Sequence, residues 1–326
     1  MNWNALQRLR ARFLQFDDRE QGAEANHSNY WRSLSDLVSY DGTFGERIGW
    51  KWDTVLAELK TRGWAPPEEA TLLDWGCGTG VAGRRVAAAW PAAFQRLILS
   101  DRSGPARHFS QERAQAELPG LEARTAAPGE GAEVLVLSHV LNELNREALE
   151  KLLELASSAQ VILWVEPGTY PVSRRLIAIR ERLRLLFRTV SPCTHQETCG
   201  LLTADNERHW CHHFARVPSF VHTDPGWGKF AKTLEVDLAS VPFSYLILDR
   251  RPAAAAPDPA EARVIGVPRY YKGYAKVLSC QADGVAERIL QKRDAPDLLK
   301  AMKKAPGSLY RWDRDGEKIH DGELIF

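Results

Sequence analysis

The fold is decided by the stretch Leu72–Gly80, LLDWGCGTG, in which a short apolar run leads straight into three alternating glycines. A segment with helical spacing, Val81–Trp90, follows at once. A strand, a glycine turn and a helix in this order form a nucleotide-binding loop in parallel α/β folds. Glycines at 76, 78 and 80 let the backbone turn sharply and approach a ligand closely. We therefore predict a ligand site at Gly76, Gly78 and Gly80.

Two cofactors compete for a loop of this kind. A dinucleotide site needs G-x-G-x-x-G, but the sixth position counted from Gly76 is Val81. A frame from Gly78 to Gly83 fits that pattern, although it begins late relative to the strand. The carboxylate of Asp74, at the strand end, suits the cationic amino-acid end of a ligand better than a phosphate. The loop therefore favours S-adenosylmethionine (SAM) over NAD.

Short apolar runs alternate with helix-like segments around this loop, as in a parallel sheet wrapped by helices. The runs are Thr71–Trp75, Arg96–Ser100, Leu121–Thr125, Glu133–Ser138 and Val161–Val165. The sequence therefore predicts an α/β fold of the class I methyltransferase (Rossmann-like) type, with a doubly wound sheet. An N-terminal helical segment precedes the sheet, and a Cys-rich metal or Fe–S insertion follows it.

Four regions are expected along the chain: helices over 1–65, the SAM-binding core over 66–190, the Cys/His-rich insertion over 191–242, and the final strands with a basic extension over 243–326. The pair Asp41-Gly42 signals a turn between helices of the first region. In the last region, Phe243–Leu248 and Ala262–Val267 are expected to be the final strands of the sheet. The tail after Gly284 is expected to be helical and basic.

Polar residues follow two further strands of the predicted sheet. Asp101 ends the second strand, where a carboxylate can accept both ribose hydroxyls; it can also cap the next helix. Ser138 and His139 end the fourth strand and should face the ligand, although His139 can equally cap a helix. The segment from Ser138 lacks the Asn/Asp-Pro-Pro-aromatic pattern of many amino-group methyltransferases. No catalytic base is predicted, and methyl transfer from a sulfonium needs mainly alignment of donor and acceptor.

Composition limits the class of protein. The formal net charge is only +1, so nucleic-acid binding requires local basic patches. Five cysteines without a secretory signal argue against a disulfide framework, and no apolar run is long enough for a membrane helix. Arg8, Arg10 and Arg12 suit an organelle-targeting helix, but an amphipathic helix of the folded protein is favoured. We expect a monomeric cytoplasmic protein that does not enter membranes.

Four cysteines form a candidate metal site: Cys193, Cys199, Cys211 and Cys280. Their spacing does not fit the C-x₂₋₄-C pairs of structural zinc sites, and it suits a cubane cluster with one thiolate on each iron. Nearby histidines keep a mixed Cys/His zinc site open as an alternative: His195, His209, His212 and His213. Unligated buried thiols are the third alternative.

Two segments are rich in basic residues. The predicted helix Ser173–Arg188 carries six arginines at 174, 175, 180, 182, 184 and 188. Residues 263–304 contain ten Lys and Arg against four acids. Such patches neutralise phosphates and make binding salt-dependent, so they predict contact with RNA. Ordinary solvated surface charge is the alternative.

At these motifs the chain resembles the mitochondrial small-ribosomal-subunit assembly family of methyltransferase-like proteins and its bacterial relatives, from about Asn29 to Cys280. The segments that carry the resemblance are Leu73–Gly80, Ser138–Leu144, Val165–Thr169, Ser173–Leu176, Pro192–His195 with Cys199, and His209–His212. The Cys/His segments are the specific ones, since the glycine loop alone is generic. Thr194 and Gly200 depart from the family pattern, which tends to have proline there.

The resemblance implies a methyltransferase-like fold that binds SAM and a [4Fe–4S] cluster on Cys193, Cys199, Cys211 and Cys280. It implies association with the small ribosomal subunit and its ribosomal RNA during maturation. It makes the chain a candidate SAM-dependent RNA methyltransferase. The alternatives are a non-catalytic assembly factor that uses the fold as an RNA-binding scaffold, a structural zinc in place of the cluster, and a location in the mitochondrial matrix.

Overall fold

The computed structural model describes residues 1–17, 31–253, 256, 258–304 and 307–326. Asn29, where the family resemblance begins, lies outside the described residues. The chain forms two compact units, Met1–Glu166 with Phe214–Val241 and Pro167–His213 with Pro242–Phe326. These units do not coincide with the predicted regions 66–190, 191–242 and 243–326, because the chain returns once to each unit.

The first part of the chain is helical and then alternates between strand and helix. Its elements are α1 (Trp3–Asp17), α2 (Leu34–Tyr40), α3 (Glu46–Thr61), β1 (Ala70–Trp75), α4 (Val81–Ala89), β2 (Phe94–Ser100), α5 (Gly104–Glu117), β3 (Glu122–Thr125), β4 (Val134–Ser138), α6 (Arg146–Ser158) and β5 (Val161–Pro167). All five predicted apolar runs are strands, with ends within two residues of the prediction.

The second part of the chain is richer in strands. Its elements are α7 (Tyr170–Leu183), β6 (Arg188–Ser191), β7 (His213–Phe214), α8 (Pro225–Leu234), β8 (Pro242–Asp249), β9 (Glu261–Val264), β10 (Arg269–Tyr271), β11 (Tyr274–Gln281), β12 (Gly284–Gln291), α9 (Pro296–Lys304), β13 (Leu309–Asp315) and β14 (Lys318–Leu324). Between β6 and β7 the cysteine-rich stretch contains only the short 3₁₀ turns Gly200–Leu202 and Ala204–Asn206.

The first unit contains the parallel sheet. Its strands lie in the order β3-β2-β1-β4-β5, and each pairs in parallel with its neighbour. Side chains such as Leu72, Leu97 and Ile162 have no exposed surface, as expected for strands covered by helices on both faces. In this order the chain changes direction between β1 and β4, so their carboxyl ends form the crevice where such sheets bind ligands. The mixed α/β prediction is confirmed.

The predicted turn at Asp41-Gly42 is wrong. The backbone of Asp41–Gly45 forms a π-helix of five residues whose flanking caps are also helical, so α2 runs into α3 without a break. Asp41, Thr43 and Gly45 are buried there. Burial of these small and polar residues favours a wide helical turn over an exposed reverse turn, and such turns are frequent at functional sites.

Helix α1 is part of the folded unit. Leu6 and Leu9 are almost fully buried, and Leu6 packs against Phe230 and Leu234 of α8. The guanidinium of Arg8 pairs with the buried carboxylate of Asp36. These contacts confirm the amphipathic helix favoured from the sequence. None of the helices in the described ranges is both long and apolar enough to cross a bilayer.

The second unit contains a small barrel after the antiparallel pair β6 and β8. Six strands follow the order β10-β11-β12-β14-β13-β9, and β9 also pairs with β11. This extra pairing closes five of the strands into a ring, with Val277, Leu290 and Trp312 buried inside against Leu299 and Met302 of α9.

The sequence prediction for this region therefore needs two corrections. The predicted strand Ala262–Val267, seen as β9, belongs to the barrel and not to the parallel sheet. The tail after Gly284 is mostly strand, and only α9 is helical in the described part of it. The barrel interior is formed by residues far apart in sequence, and local periodicity does not record such pairing.

Candidate functional site

The glycine loop has the backbone geometry that its sequence predicts. Gly76, Gly78 and Gly80 have φ of +70°, +52° and +76°, which side chains with a Cβ rarely adopt. A Cβ on Gly76 would lie 2.7 Å from Val140 Cγ1, and one on Gly80 would lie 2.1 Å from Ser110 Oγ. A Cβ on Gly78 would meet no described atom within 4 Å. The outer two glycines are thus required by packing, and the middle one leaves space above the loop.

Asp74 lies beneath the loop and is completely buried. Its Oδ2 accepts a hydrogen bond of 2.9 Å from the amide of Gly83 in the first turn of α4, whereas Oδ1 has no hydrogen-bond partner among the described residues. Burial raises the pKa of this carboxyl to about 7, although the Gly83 amide and Arg84 act in the opposite direction. Asp74 therefore fixes the turn and keeps one oxygen available for a donor.

This shift predicts a dependence of stability on pH. Because the folded-state pKa is raised from 3.8 to about 7, folded Asp74 retains a proton that the unfolded chain has released within that window. The free energy of unfolding should fall as pH rises across the window, by no more than about 4 kcal/mol, and the contribution is complete only at the acidic end. Urea unfolding at several pH values should show this decline in the wild type and a flatter profile in Asp74→Asn. Equal slopes for the two proteins would contradict the assignment.

Asp101 follows β2 and holds the glycine loop from the other side. Its Oδ2 accepts from the amide of Gly78 at 2.9 Å, and its Oδ1 accepts from the amide of Ser103 at 2.8 Å. The N-cap of α5 is Ser103, whose hydroxyl accepts from Ala106, so the capping alternative for Asp101 is wrong. Each carboxylate oxygen has a second lone pair, which leaves Asp101 able to accept hydroxyl groups as well.

Ser138 and His139 end β4 beside the loop and contact residues of α3. The hydroxyl of Ser138 accepts from Trp52 Nε1 at 3.0 Å, and Nε2 of His139 lies 3.2 Å from Lys51 Nζ. Burial and Lys51 lower the pKa of His139 well below its usual value, so the ring is neutral and its Nε2 can accept a hydrogen bond from the Lys51 ammonium. His139 has a φ of +58° and caps no helix, since the following 3₁₀ turn begins after Val140.

Sequence reasoning missed the residues that brace this site. Lys51 and Trp52 belong to a helix that was predicted only as an N-terminal segment. Arg84, which is 5% exposed, donates to the carbonyl of Thr79 at 2.7 Å and to Asp41 Oδ1 at 2.9 Å, so it ties the glycine loop to the π-helical turn. The one sequence signal for this role was the position of Arg84 on the otherwise apolar face of α4.

Residues 192–212, between β6 and β7, form the cysteine segment of the second unit. This segment is held mainly by contacts with α7. Arg180, 2% exposed, donates to the carbonyls of Glu197 at 2.7 Å and His195 at 3.4 Å and pairs with Glu181. Glu181 in turn accepts from the amide of Cys199 at 3.1 Å. These bonds satisfy backbone groups of an irregular segment that has no ladder of its own.

The arginines of the predicted basic helix Ser173–Arg188 were expected to form an RNA-binding surface. In the structure, several of them bind other residues of the chain instead. Arg174 donates to the carbonyl of Leu201, Arg184 to the hydroxyl of Thr198, and Arg188 pairs with Asp249. Arg175 and Arg182 have partners as well. Arg174, Arg180 and Arg184 therefore support the cysteine segment, whereas Arg188 lies on β6 and Arg182 is exposed.

The four thiols lie near one another in the second unit. Cys199 and Cys280 belong to one apolar cluster against which Cys211 packs. Burial and then Cys193 raise the pKa of Cys199 to about 11, and burial followed by the other three thiols raises that of Cys280 well above its usual value. The ring Nε2 of His195 lies 3.4 Å from Cys280 Sγ, and that of His213 lies 3.5 Å from Cys211 Sγ.

The thiols are not arranged around a single ion. Among the described residues, no three Cys, His, Asp or Glu side chains gather closely enough to hold one metal ion. Zinc draws four sulfurs to about 2.3 Å from one centre, whereas a cubane keeps each thiolate on a separate iron. Burial, followed by Cys193 and Cys199, raises the pKa of Cys211, while the buried Arg263 and Arg180 act in the opposite direction. Cysteines beside buried cations form a donor set that suits an anionic cluster.

Comparison with solved structures gives distant relatives. A candidate RNA methyltransferase from Pyrococcus horikoshii is 10% identical, with a TM-score of 0.37 over 76% of this chain and 98% of that one. A SAM-dependent methyltransferase from Aquifex aeolicus is 16% identical, with a TM-score of 0.37 over 50% and 93%. The plantazolicin methyltransferase BpumL, solved with SAH, is 15% identical, with a TM-score of 0.38 over 77% and 100%. All three TM-scores are below 0.5, and the strand order β3-β2-β1-β4-β5 alone defines the fold of the parallel sheet.

A comparison of the sequence with curated proteins finds no match. A family model does match: that of Rsm22, described as mitochondrial small ribosomal subunit Rsm22, aligns with residues 52–316. The match spans the glycine loop, all four clustered cysteines and most of the barrel. Because it covers well over half of the chain, the protein belongs to the Rsm22 family.

Proposed function

We propose that this protein is a SAM-binding, methyltransferase-like component or assembly factor of the small ribosomal subunit that acts on the subunit's RNA. Family membership supports the association with the small subunit, and the description of the family as mitochondrial supports a matrix location. The expected cytoplasmic location has no such support. The observation that carries the SAM proposal is the glycine loop, in which Gly78 leaves open space and Asp74 keeps an oxygen without a partner.

Different residues of this chain would bind different parts of SAM. Asp101 can accept the ribose hydroxyls, Asp74 can accept from the amino group, and the loop glycines admit the adenosyl group. SAM, when bound, supplies an activated methyl group on its sulfonium. The proposed site contains Asp74, Gly76, Gly78, Gly80, Asp101, Ser138 and His139 on the class I methyltransferase fold. No catalytic residue is assigned.

A [4Fe–4S] cluster on Cys193, Cys199, Cys211 and Cys280 is part of the proposal. The grouping of Cys199, Cys211 and Cys280 in one apolar cluster, with buried Arg180 and Arg263 beside the thiols, supports this proposal. When bound, the cluster would link three cysteines of the segment to Cys280 on β11.

A second function, non-catalytic assembly, is favoured by one observation. Ser138 and His139, the polar residues nearest the loop after β4, are already engaged by Trp52 and Lys51. Residues held in this way can shape a SAM site without taking part in a reaction, and the fold then serves as an RNA-binding scaffold.

The deciding experiment combines three measurements on the full chain. Calorimetric titration with SAM tests the loop, co-sedimentation with small subunits tests the partner, and transfer of labelled methyl groups to small-subunit RNA tests catalysis. Binding and co-sedimentation with methyl transfer support an enzyme, and the same without methyl transfer supports assembly. Absence of SAM binding would overturn the proposed site.

Removal of one proposed cluster ligand has a defined expected result. Cys193→Ser should lower iron and acid-labile sulfide in anaerobically purified protein severalfold, because each iron of a cubane depends on one thiolate. Cys77→Ser is the matched control, since Cys77 lies in the first unit and should leave the iron content unchanged. Equal iron in the Cys193 variant and the wild type, or zinc without iron in both, would contradict the cluster.

A further inference from the structure

The strand order of the barrel in the second unit identifies its fold type. In chain order its strands are β9, β11, β12, β13 and β14, and around the ring they follow the order first-second-third-fifth-fourth before closing on the first. The third and fifth strands, β12 and β14, pair in parallel, whereas the other pairs are antiparallel. The helix α9 lies between the third and fourth strands, and its apolar face closes the barrel interior. A five-stranded Greek-key barrel of this kind is an OB-fold.

OB-folds bind oligonucleotides on the outer face of their second and third strands and on the adjoining loops. Here those strands are β11 and β12, and their outward-facing pairs are Tyr274 with Gln291, Lys276 with Ile289, Leu278 with Glu287 and Cys280 with Val285. The cysteine segment covers one end of this face: Cys199 and Leu201 pack against Cys280 and Val285, and Asn206 donates to the Val285 carbonyl at 3.0 Å. The end that carries Tyr274 is not part of that cluster.

The open end of the face presents aromatic rings. Tyr271 is 42% exposed on the hairpin between the first and second barrel strands, and its cross-strand partner Tyr274 points to the same outer face. Tyr270 pairs with the inward-facing Ala275 and therefore points to the other face of the hairpin. The rings of Tyr271 and Tyr274 stack at 4.7 Å with planes only 10° apart, and this stacked pair is the aromatic platform of the outer face. The Tyr270 hydroxyl donates to the Met302 carbonyl at 3.0 Å and fixes the hairpin against α9.

Lysines surround this platform. Lys272 is exposed at the hairpin turn, and the amide of Lys292 donates to the Gly273 carbonyl at 2.8 Å, which places Lys292 beside the same turn. Lys303 lies 5.5 Å from the centre of the Tyr270 ring, on the other face of the hairpin, and is not part of this surface. Nearby acids are committed to other basic residues: Glu287 pairs with Arg269 and Lys276, and Asp294 with Arg293.

Stacked aromatic rings bordered by cations are the elements with which proteins bind single strands: bases stack on the rings, and phosphates meet the lysines. We infer that the platform formed by Tyr271 and Tyr274, with Lys272 and Lys292 at the adjoining turn, is a binding surface for single-stranded RNA. The choice of RNA rests on the proposed function, whereas the single-stranded preference rests on the platform itself. Duplex bases are already stacked and cannot use such rings.

The test measures fluorescence anisotropy of the full chain with a labelled single-stranded RNA of about 12 nucleotides, within the range of OB-fold site sizes. Tyr271→Ala should weaken binding at least about fivefold, since stacking of one base is lost, and Tyr271→Phe should retain it. The double variant Lys272→Ala/Lys292→Ala should reduce the slope of log affinity against log salt by about 1.4. Lys232→Ala, an exposed lysine on α8, is the matched control.

Three results would overturn the inference: wild-type affinity in Tyr271→Ala, equal binding of the duplex form of the same RNA, or tighter binding of the matching single-stranded DNA. Titration of SAM into the same preparations separates this inference from the proposed function. SAM binding with no RNA response to Tyr271→Ala removes only the platform. The converse result removes only the SAM site.

Discussion

Replacement of Gly80 by alanine should abolish SAM binding and lower the free energy of unfolding by about 3 kcal/mol or more. Two costs add at this position. A φ of +76° costs a residue with a Cβ about 1–2 kcal/mol, and forced overpacking costs about 1–3 kcal/mol more. The new Cβ would lie 2.1 Å from Ser110 Oγ and 3.1 Å from Ser110 Cβ. The Ser110 hydroxyl can rotate away, but its Cβ remains too close, so the loop must shift by a few tenths of an ångström and the amides that follow Asp74 shift with it.

The matched control is Gly63→Ala, which changes the same residue type outside the loop. Gly63 has a φ of +68°, and a Cβ there would meet no described atom within 4 Å. Only the backbone cost of about 1–2 kcal/mol should therefore appear, with unchanged SAM affinity. Urea unfolding and calorimetric titration measure both effects. If the two variants were equally stable and bound SAM equally, the close packing of the loop on α5 would be refuted.

Replacement of Arg180 by methionine should destabilise the second unit by about 3–5 kcal/mol, because one partner of a buried ion pair is removed. The carbonyls of His195 and Glu197 lose this donor at once, and Glu181 keeps only Arg184 as a charged partner. Since Glu181 holds the Cys199 amide, iron content should fall together with stability. Arg180→Lys should not restore either property, since an ammonium cannot reproduce the fork of the guanidinium.

The control for this experiment is Arg182→Met on the same helix. Arg182 is exposed, and surface substitutions usually change stability by about 0.5 kcal/mol or less. Thermal unfolding and iron analysis of both variants provide the comparison. A stable Arg180→Met protein with full iron content would show that the cysteine segment is held by other contacts.

Local patterns predicted the part of the fold that is built from local contacts. The five parallel strands and the glycine loop were predictable because strand, turn and helix follow one another within a few residues, and the positive φ angles at Gly76, Gly78 and Gly80 follow from the residue type. Asp101 lies beside the glycine loop, as the sequence suggests, because the carboxyl ends of neighbouring strands meet at one edge of the sheet; its role toward a ligand stays a prediction.

Non-local contacts explain what the sequence did not reveal. The pairing of β9 with β11 and β13 joins residues far apart in the chain, so the barrel could not be seen in the pattern after Gly284. The basic segment that begins in α7 was predicted to face RNA because of its charge. Charge alone does not reveal that Arg180 is buried against backbone carbonyls. Lys51 and Trp52 remained unnoticed because their importance depends on β4, which follows more than seventy residues later.

The π-helical turn at Asp41–Gly45 fixes the number of residues that this segment can contain. An α-helix advances by about 100° per residue, so deletion of a single residue would restore α-helical register and rotate everything before it by that angle. The carboxylate of Asp41 would then point away from Arg84, and α2 would present a different face to the fold. A surface loop tolerates such a deletion. In the continuous helix formed by α2, the π-helical turn and α3, the same deletion rotates all residues before it.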